Sequence, residues 1–149
     1  MKIYFAAAIR AGRDLQPIYE AIVRHLKDAG HTVLSEQVAS KTVEADERTV
    51  TDLQIYTQDT ARLGECDVVI AEVTVPSLGV GYEIAYALHR WGRPVQCLCR
   101  AGTHLSAMLT GNTHPSLQVV FYEDLTAALA EVDRFLILSA PSLGGGIGD

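Results

Sequence analysis

The sequence lacks the long apolar stretches and basic clusters that mark several classes of protein. No apolar run approaches the roughly 20 residues that a membrane-spanning helix needs. The short apolar start is followed at once by Arg10, so we read it as a first strand rather than a signal peptide. Lys and Arg number 12 against 18 Asp and Glu, and the basic residues do not cluster. We therefore expect a cytoplasmic protein whose partner is neither duplex DNA nor an anionic membrane.

Several nucleotide and metal signatures are also missing. No G-x-G-x-x-G follows the first apolar segment, which disfavours the usual dinucleotide-binding fold. No G-x-x-x-x-G-K-S/T is present, which excludes a P-loop NTPase. The patterns H-E-x-x-H and G-x-S-x-G and the EF-hand loop are absent too. The five histidines are scattered, and we assign none of them a role.

Cysteine is scarce, with three residues in the chain. This number suits a reducing compartment better than a disulfide framework. Cys97 and Cys99 alternate along a predicted strand and so face the same way. A metal-binding pair is one interpretation, but no further Cys or His has ligand spacing nearby. The pattern favours two small buried apolar side chains.

Segments of strand and helix character alternate along the 149 residues, which suffice for one domain with a sizeable core. The predicted strands are 2–8, 31–35, 67–73, 93–100 and 117–122. The predicted helices are 13–30, 47–66, 77–92, 105–111 and 123–138, with a loop at 36–46. We expect one domain over 1–138 and a disordered tail over 139–149.

This alternation predicts an α/β fold, a single-domain doubly wound five-stranded parallel sheet of flavodoxin or Rossmann-like type with helices on both faces. In such sheets, ligands bind beyond the carboxyl ends of the strands, where the strand order reverses. The segments that follow the first, third and fourth predicted strands are therefore expected to meet at one site.

Glu83 stands out in the stretch "TVPSLGVGYE", residues 74–83. Its helical neighbours Val80, Ile84 and Ala87 should face the core. A glutamate early in a helix often does no more than complement the helix dipole, which contributes about 0.3–1 kcal/mol. On an apolar face, however, a carboxylate is costly unless it is paired or catalytic. We therefore take Glu83 as a candidate catalytic group.

Two glycines, Gly79 and Gly81, fall where the same helix should begin. Each costs a helix roughly 1 kcal/mol relative to alanine. Glycine at these positions is explained if a ligand must approach the backbone closely. A helix N-terminus with a flanking hydroxyl is an anion site. Ser77 supplies that hydroxyl, although it could serve only as an N-cap. Anion binding is slightly favoured over capping alone.

Three further side chains are weaker candidates. Asp59 lies beside the apolar stripe of its helix, and the sequence alone favours a solvated side chain or an i,i+3 partner for Arg62. Tyr4 lies in the first strand, and its neighbour Phe5 points to the other face. A tyrosine in a strand is usually a core residue whose hydroxyl is hydrogen-bonded. Arg10 follows that strand, where it could meet a phosphate or remain solvated. The stripe beside Asp59 is formed by Leu53, Tyr56, Thr60 and Leu63.

Four segments together resemble the 2′-deoxynucleoside 5′-monophosphate N-hydrolases, relatives of the nucleoside 2-deoxyribosyltransferases. They are "IYFAAAIRAGR", "YTQDTARL", "DVVIAEVTVPSLGVGYEIAYAL" and "HLSAML". The similarity covers nearly the whole chain apart from the loop at about 35–46 and the tail. It implies a glycosidase of N-glycosyl compounds that needs no cofactor or metal.

The resemblance also implies roles. Glu83 matches the nucleophile that forms a covalent glycosyl-enzyme with net retention. Asp59 matches a residue that contacts the base and is the candidate general acid. Tyr4 matches a tyrosine beside the nucleophile. The residues that match base, sugar or phosphate contacts are Ile9, Arg10, Ser77, Gly79, Ser106 and Met108.

Ser106 matches a serine that reaches the phosphate from the neighbouring subunit, so the resemblance implies a homodimer. Its presence favours a monophosphate hydrolase over a transferase, which binds a free 5′-hydroxyl. One departure is Ala8, where the family usually has a serine. One neutral hydrogen bond to the phosphate, worth about 0.5–1.5 kcal/mol, is lost with that hydroxyl.

Three other functions stay open from the sequence. The first is an N-glycosidase of cytidine 5′-monophosphates, including hydroxymethylated ones, and the second is a nucleoside 2-deoxyribosyltransferase. The third is a nucleotide-binding sensor without turnover, ranked last because Glu83, Asp59 and Tyr4 are all present.

Overall fold

Five parallel strands form one sheet in the computed structural model, which describes residues 1–10, 14–43, 45 and 48–140. The strands are β1 (Lys2–Ala6), β2 (Thr32–Val33), β3 (Val68–Glu72), β4 (Val95–Arg100) and β5 (Leu117–Tyr122). Their spatial order is β2-β1-β3-β4-β5, and every neighbouring pair is parallel. This is the doubly wound order of flavodoxin-like proteins, so the predicted fold is confirmed.

Helices cover both faces of this sheet. They are α1 (Gln16–Asp28), a 3-10 turn (Glu36–Ala39), α2 (Asp52–Glu65), α3 (Leu78–Trp91), α4 (Ala107–Thr110) and α5 (Leu125–Ser139). None of the helices in the described ranges is long and apolar enough to cross a membrane.

Alternate residues of β1 enter two separate cores, as its period of two requires. Ile3 and Phe5 pack with α1 and α5 on one face. Tyr4 and Ala6 pack with α2 and α3 on the other face. The predicted opposition of Tyr4 and Phe5 is thereby confirmed. Both Cys97 and Cys99 are fully buried in the second core, as expected for small apolar side chains.

Strand β2 is shorter than the predicted strand at 31–35. The hydroxyl of Ser35 accepts a hydrogen bond from the Phe5 N–H (2.8 Å) and donates one to the Phe5 carbonyl (2.7 Å). A side chain thus replaces the backbone ladder at this point, and the chain turns into the 3-10 helix. The predicted loop at 36–46 was therefore wrong in part, and residues 44 and 46 lie outside the described ranges.

Local capping sets the helix boundaries. Helix α2 starts at Asp52 rather than at 47, because Thr51 and Gln54 form a capping box, a motif worth about 1 kcal/mol. Helix α3 has Ser77 as its N-cap and ends at Gly92, whose φ of 61° lies in the left-handed region that glycine favours. These boundaries differ from the predicted ones by one to five residues.

The stripe predicted on α2 is not a core stripe along its full length. Leu63 is fully buried, whereas Leu53 and Tyr56 are 73% and 52% exposed. The N-terminal half of α2 borders a cavity instead, and Asp52, Ile55 and Tyr56 line it. At the other end of the chain, α5 runs to Ser139, one residue beyond the predicted helix, and the predicted tail from 141 onward lies outside the described residues.

Candidate active site

A cavity of about 710 Å³ lies between α2, α3 and the carboxyl end of β1. This end of the sheet is where the strand order reverses, because β1 is flanked by β2 and β3. The cavity therefore occupies the position that a ligand takes in this fold. The candidate residues that line it are Ile9, Arg10, Asp59, Ser77, Gly79 and Glu83.

Glu83 is half-buried at the cavity and pairs with Tyr4. The Tyr4 hydroxyl donates a 2.7 Å hydrogen bond to Oε1 of Glu83. Burial and the neighbouring negative charge of Glu83 raise the pKa of Tyr4 well above its usual range, so the phenol keeps its proton and acts as a donor. The neighbours Val80, Ile84 and Ala87 are buried, as predicted.

Asp59 lies on α2 across the cavity from α3. Burial raises the pKa of its carboxyl, while the adjacent Arg62 guanidinium opposes this shift. Nη1 of Arg62 is 3.2 Å from Oδ1 of Asp59, in the predicted i,i+3 ion pair. Asp59 is therefore both an ion-pair partner and a cavity residue, and its raised pKa is what a general acid requires.

The N-terminus of α3 forms one wall of the cavity. Oγ of Ser77 accepts from the Val80 N–H at 3.4 Å, and the first i→i−4 bond of the helix is from the Gly81 N–H to the Ser77 carbonyl. The Leu78 and Gly79 amides precede that bond, so they have no intrahelical acceptor. Gly79 lines the cavity and Gly81 does not. The two glycines flagged in the sequence therefore occupy different surroundings.

The segment after β1 forms another wall of the cavity. Ala7, Ile9 and Arg10 line it, and Ala8 is fully buried beside them. Ile9 also packs against the core on the α1 side of the sheet. Arg10 brings a cation to the same cavity as Ser77.

Two candidates lie elsewhere on the surface of the chain. Ser106 is the N-cap of α4, where its Oγ accepts from the Met108 N–H at 3.3 Å. Both side chains are exposed, Met108 to 81%, and neither lines the α2–α3 cavity.

Sequence reasoning missed the aromatic wall of the cavity. Tyr56 and Tyr82 both line it, with ring centroids 6.3 Å apart across the gap between α2 and α3. Tyr56 is one turn before Asp59, and Tyr82 directly precedes Glu83. Their adjacency to those two carboxyl groups was a signal in the sequence, although Tyr56 was assigned only to the apolar stripe of its helix.

Comparison with known proteins fits this geometry. The model of the nucleoside 2-deoxyribosyltransferase family matches residues 3–131. The chain belongs to this family. The matched range contains the whole α2–α3 cavity as well as Ser106 and Met108.

Relatives within the family carry hydrolase names. A protein of Methanococcoides burtonii, provisionally named a 2′-deoxynucleoside 5′-phosphate N-hydrolase, is 43% identical over 80% of this chain and 97% of its own length. The human 5-hydroxymethyl-dUMP N-hydrolase is 43% identical over 93% of this chain and 81% of its own length.

Solved structures show the same fold at lower identity. A CMP N-glycosidase from Clostridium botulinum superposes with a TM-score of 0.70 at 21% identity, covering 91% of this chain and all of that protein. A 2-deoxyribosyltransferase from Bacillus psychrosaccharolyticus superposes with a TM-score of 0.61 at 18% identity, covering 87% and 90% of the two chains.

Proposed function

We propose that this protein hydrolyses the N-glycosidic bond of 2′-deoxyribonucleoside 5′-monophosphates to free base and 2-deoxyribose 5-phosphate. The observation that carries the proposal is that Glu83, which accepts a hydrogen bond from the buried Tyr4 hydroxyl, lines one cavity together with Asp59 and the N-terminus of α3. The hydrolase names of relatives 43% identical support the same reaction class.

In the proposed reaction, Glu83 attacks the anomeric carbon of the deoxyribose. A bond forms between that carbon and a Glu83 oxygen as the bond to the base nitrogen breaks, and the protonated Asp59 gives its proton to the departing base. Water then attacks the glycosyl-enzyme and passes a proton to Asp59, which restores both carboxyl groups. Two displacements give net retention at the anomeric carbon. The Tyr4 hydroxyl holds Glu83 in the attacking orientation.

The phosphate is proposed to lie at the N-terminus of α3. Ser77 Oγ, the Gly79 N–H and the Arg10 guanidinium are the donors on this chain, and the helix dipole adds positive potential at the same place. Ala8 contributes no hydroxyl. Charge-assisted hydrogen bonds contribute roughly 1.5–3 kcal/mol each, so losing two of them predicts a fall of about a hundredfold or more for an unphosphorylated nucleoside.

A homodimer is proposed to complete the phosphate site, with Ser106 and Met108 acting on the neighbouring subunit. Support comes from their exposure away from the cavity of their own chain. Three apolar or aromatic side chains that line the cavity, Tyr56, Leu78 and Tyr82, are more than half exposed in this chain, and a neighbouring subunit would cover them. A reducing cytoplasm, also proposed here, suits the three buried free cysteines.

The direct test is a panel of deoxyribonucleoside and ribonucleoside 5′-monophosphates, with free base measured by chromatography. We expect base release from deoxyribonucleotides that requires the 5′-phosphate. Preferential release of cytosine from cytidine 5′-monophosphate would instead support the N-glycosidase alternative. To test for transfer, deoxyguanosine and its monophosphate are each incubated with added adenine. Faster reaction of the free nucleoside, with deoxyadenosine as product, would contradict hydrolysis and favour a deoxyribosyltransferase.

A further inference from the structure

A buried carboxyl group lies on the opposite face of the sheet from the α2–α3 cavity. Glu72 is the last residue of β3, a strand that is otherwise apolar, and its side chain is fully buried. It follows Ile70 by two residues and so shares the face on which Ile70 packs with α1 and α5. Nothing in the proposed chemistry uses this group.

Two side-chain hydrogen bonds to Glu72 converge on one of its oxygens. Oε1 accepts from the Tyr122 hydroxyl at 3.0 Å and from the Thr74 hydroxyl. Oε2 is buried and has no hydrogen-bond partner. An unpartnered buried polar atom costs about 1–3 kcal/mol, so a carboxyl group with one oxygen unpaired is a costly way to fill this position. The carboxyl group therefore calls for a role other than stability.

Thr74 links this carboxyl group to the segment that leads into α3. Its Oγ1 donates to Glu72 and also accepts from the Arg100 N–H at 2.9 Å. The hydroxyl of Thr74 and the Glu72 carboxyl thus join the carboxyl ends of β3, β4 and β5. Three residues after Thr74 comes Ser77, the N-cap of α3 and a wall of the cavity.

We propose that Glu72 is a positioning residue: through the Thr74 hydroxyl it fixes the path of residues 74–77 and thereby the phosphate end of the substrate site. This inference rests on the proposed function. Val75 in the same segment packs against the core that contains Tyr122, so the segment is held on that side by apolar contact as well. Apolar packing alone does not fix the orientation of this segment, whereas the hydrogen bonds of the Thr74 hydroxyl are directional and do fix it.

The environment of the Glu72 carboxyl indicates which substitution would conserve its hydrogen bonds. Burial raises the pKa of its carboxyl, while the hydrogen bonds from Thr74 and Tyr122 and the more distant charge of Arg100 oppose that shift. Cys99 of β4 is a further titratable group near it. Because a raised pKa favours the neutral acid, glutamine is a close mimic that keeps the accepting oxygen.

The test compares Thr74→Val with Thr74→Ser, and Glu72→Leu with Glu72→Gln. Valine and leucine remove the link without a large change in volume, whereas serine and glutamine keep it. The readout is the ratio of kcat/KM for 2′-deoxyguanosine 5′-monophosphate to kcat/KM for deoxyguanosine. We expect Thr74→Val and Glu72→Leu to lower this ratio by about tenfold to a hundredfold, since small misplacements of binding groups have effects of that size. Thr74→Ser and Glu72→Gln should keep it within about twofold of wild type.

Equal losses for both substrates, with the ratio unchanged, would mean that Glu72 only supports the fold and would overturn the proposal. If Glu72→Leu fails to fold, Tyr122→Phe removes one donor to Glu72 without cavity formation and should lower the same ratio in part. Absence of base release from any monophosphate by the wild type would refute the proposed function instead. The same variants would then be compared by calorimetric affinity for the two ligands, and an unchanged affinity ratio would overturn the positioning role as well.

Discussion

At the scale of single residues, the proposed reaction needs one carboxyl group protonated and another ionised in the same cavity. Asp59 suits the first state, because burial raises its pKa. Glu83 suits the second, because it accepts a hydrogen bond from the Tyr4 hydroxyl. Environments that separate two carboxyl groups in this way are a recurrent means of assigning acid and nucleophile.

Arg62 should tune the pH at which the enzyme loses activity. Asp59 must carry a proton to act as an acid, so the rate falls as pH rises through its pKa. The Arg62 charge lowers that pKa. Arg62→Gln removes this influence and should move the alkaline limb of the kcat/KM profile to higher pH, by up to about one unit.

The matched control for this prediction is Arg134→Gln. Arg134 makes an i,i+3 ion pair with Glu131 at the same 3.2 Å, on α5 and away from the cavity. Arg134→Gln should leave the alkaline limb of the kcat/KM profile at the wild-type pH. An alkaline limb that stays put or moves to lower pH in Arg62→Gln would rule out Asp59 as the titrating acid.

Individual residues were predictable from sequence to different extents. Glu83 could be flagged because its neighbours have helical spacing on an apolar face. Its contact with Tyr4 was implied only by the family resemblance, because 79 residues separate the two and no local spacing predicts that they meet. Glu72 was not singled out from the sequence, although it is an acid within an apolar strand, and its partner Tyr122 lies on β5, 50 residues away.

At the scale of elements, the N-terminus of α3 is where the fold and the proposed phosphate site meet. The helix begins at its Ser77 cap, and its first residues line the cavity. Gly79 and Gly81 follow in that first turn, and a Cβ at either position would have room. At Gly79 a Cβ meets only Ser77 Oγ, at 3.8 Å, and at Gly81 it meets nothing within 4 Å.

These two glycines give a matched pair of variants. Both Gly79→Ala and Gly81→Ala should stabilise the fold, by roughly 0.5–1 kcal/mol each, because alanine is the better helix former and neither methyl clashes. Only Gly79→Ala should impair the enzyme, by about tenfold or more in kcat/KM for a monophosphate, because its methyl stands between the helix and the phosphate. Denaturant unfolding and steady-state kinetics measure the two effects.

Undiminished activity in Gly79→Ala would contradict a phosphate bound close to this amide. An equal loss in Gly81→Ala would point to a general effect on α3 rather than to close approach at Gly79.

Element types were largely predictable because apolar periodicity and capping residues are local. Strand β5 has its predicted bounds, 117–122, and α3 differs by one residue at each end. Two of the errors arose where tertiary contacts replace local signals, whereas the start of α2 is set by a local capping box that the prediction overlooked. Ser35 ends β2 through a hydrogen bond to β1, and the N-terminal half of α2 borders a cavity instead of the core.

At the scale of the whole molecule, the open question is whether one chain contains a complete site. The cavity holds both carboxyl groups, whereas Ser106 lies outside it on α4. Sequence alternation could predict the sheet and the end at which ligands bind. It could not predict contacts between subunits, since those depend on surfaces that no periodicity describes.

Hybrid dimers test whether Ser106 acts on a neighbouring subunit. Glu83→Gln should abolish the nucleophilic attack in its own site, and Ser106→Ala should weaken phosphate binding in the neighbouring site. If the site is shared, a mixed dimer contains one intact site, so mixing the two variants should restore base release to roughly a quarter of the wild-type rate for equal random exchange. Ser106→Ala mixed with wild type is the control for dilution. No recovery, with subunit exchange confirmed by native mass spectrometry, would mean that each site lies within one chain.

The central claim is that Glu83 carries the sugar during hydrolysis, and rapid acid quench tests it most directly. The enzyme is mixed with 2′-deoxyguanosine 5′-monophosphate, quenched within the first turnover and digested for peptide mass mapping, beside Glu83→Gln. The account predicts a deoxyribose phosphate adduct on Glu83 in the wild type. In the variant it predicts no adduct and base release lowered by several powers of ten. Normal base release by Glu83→Gln, with no adduct in either protein, would contradict it.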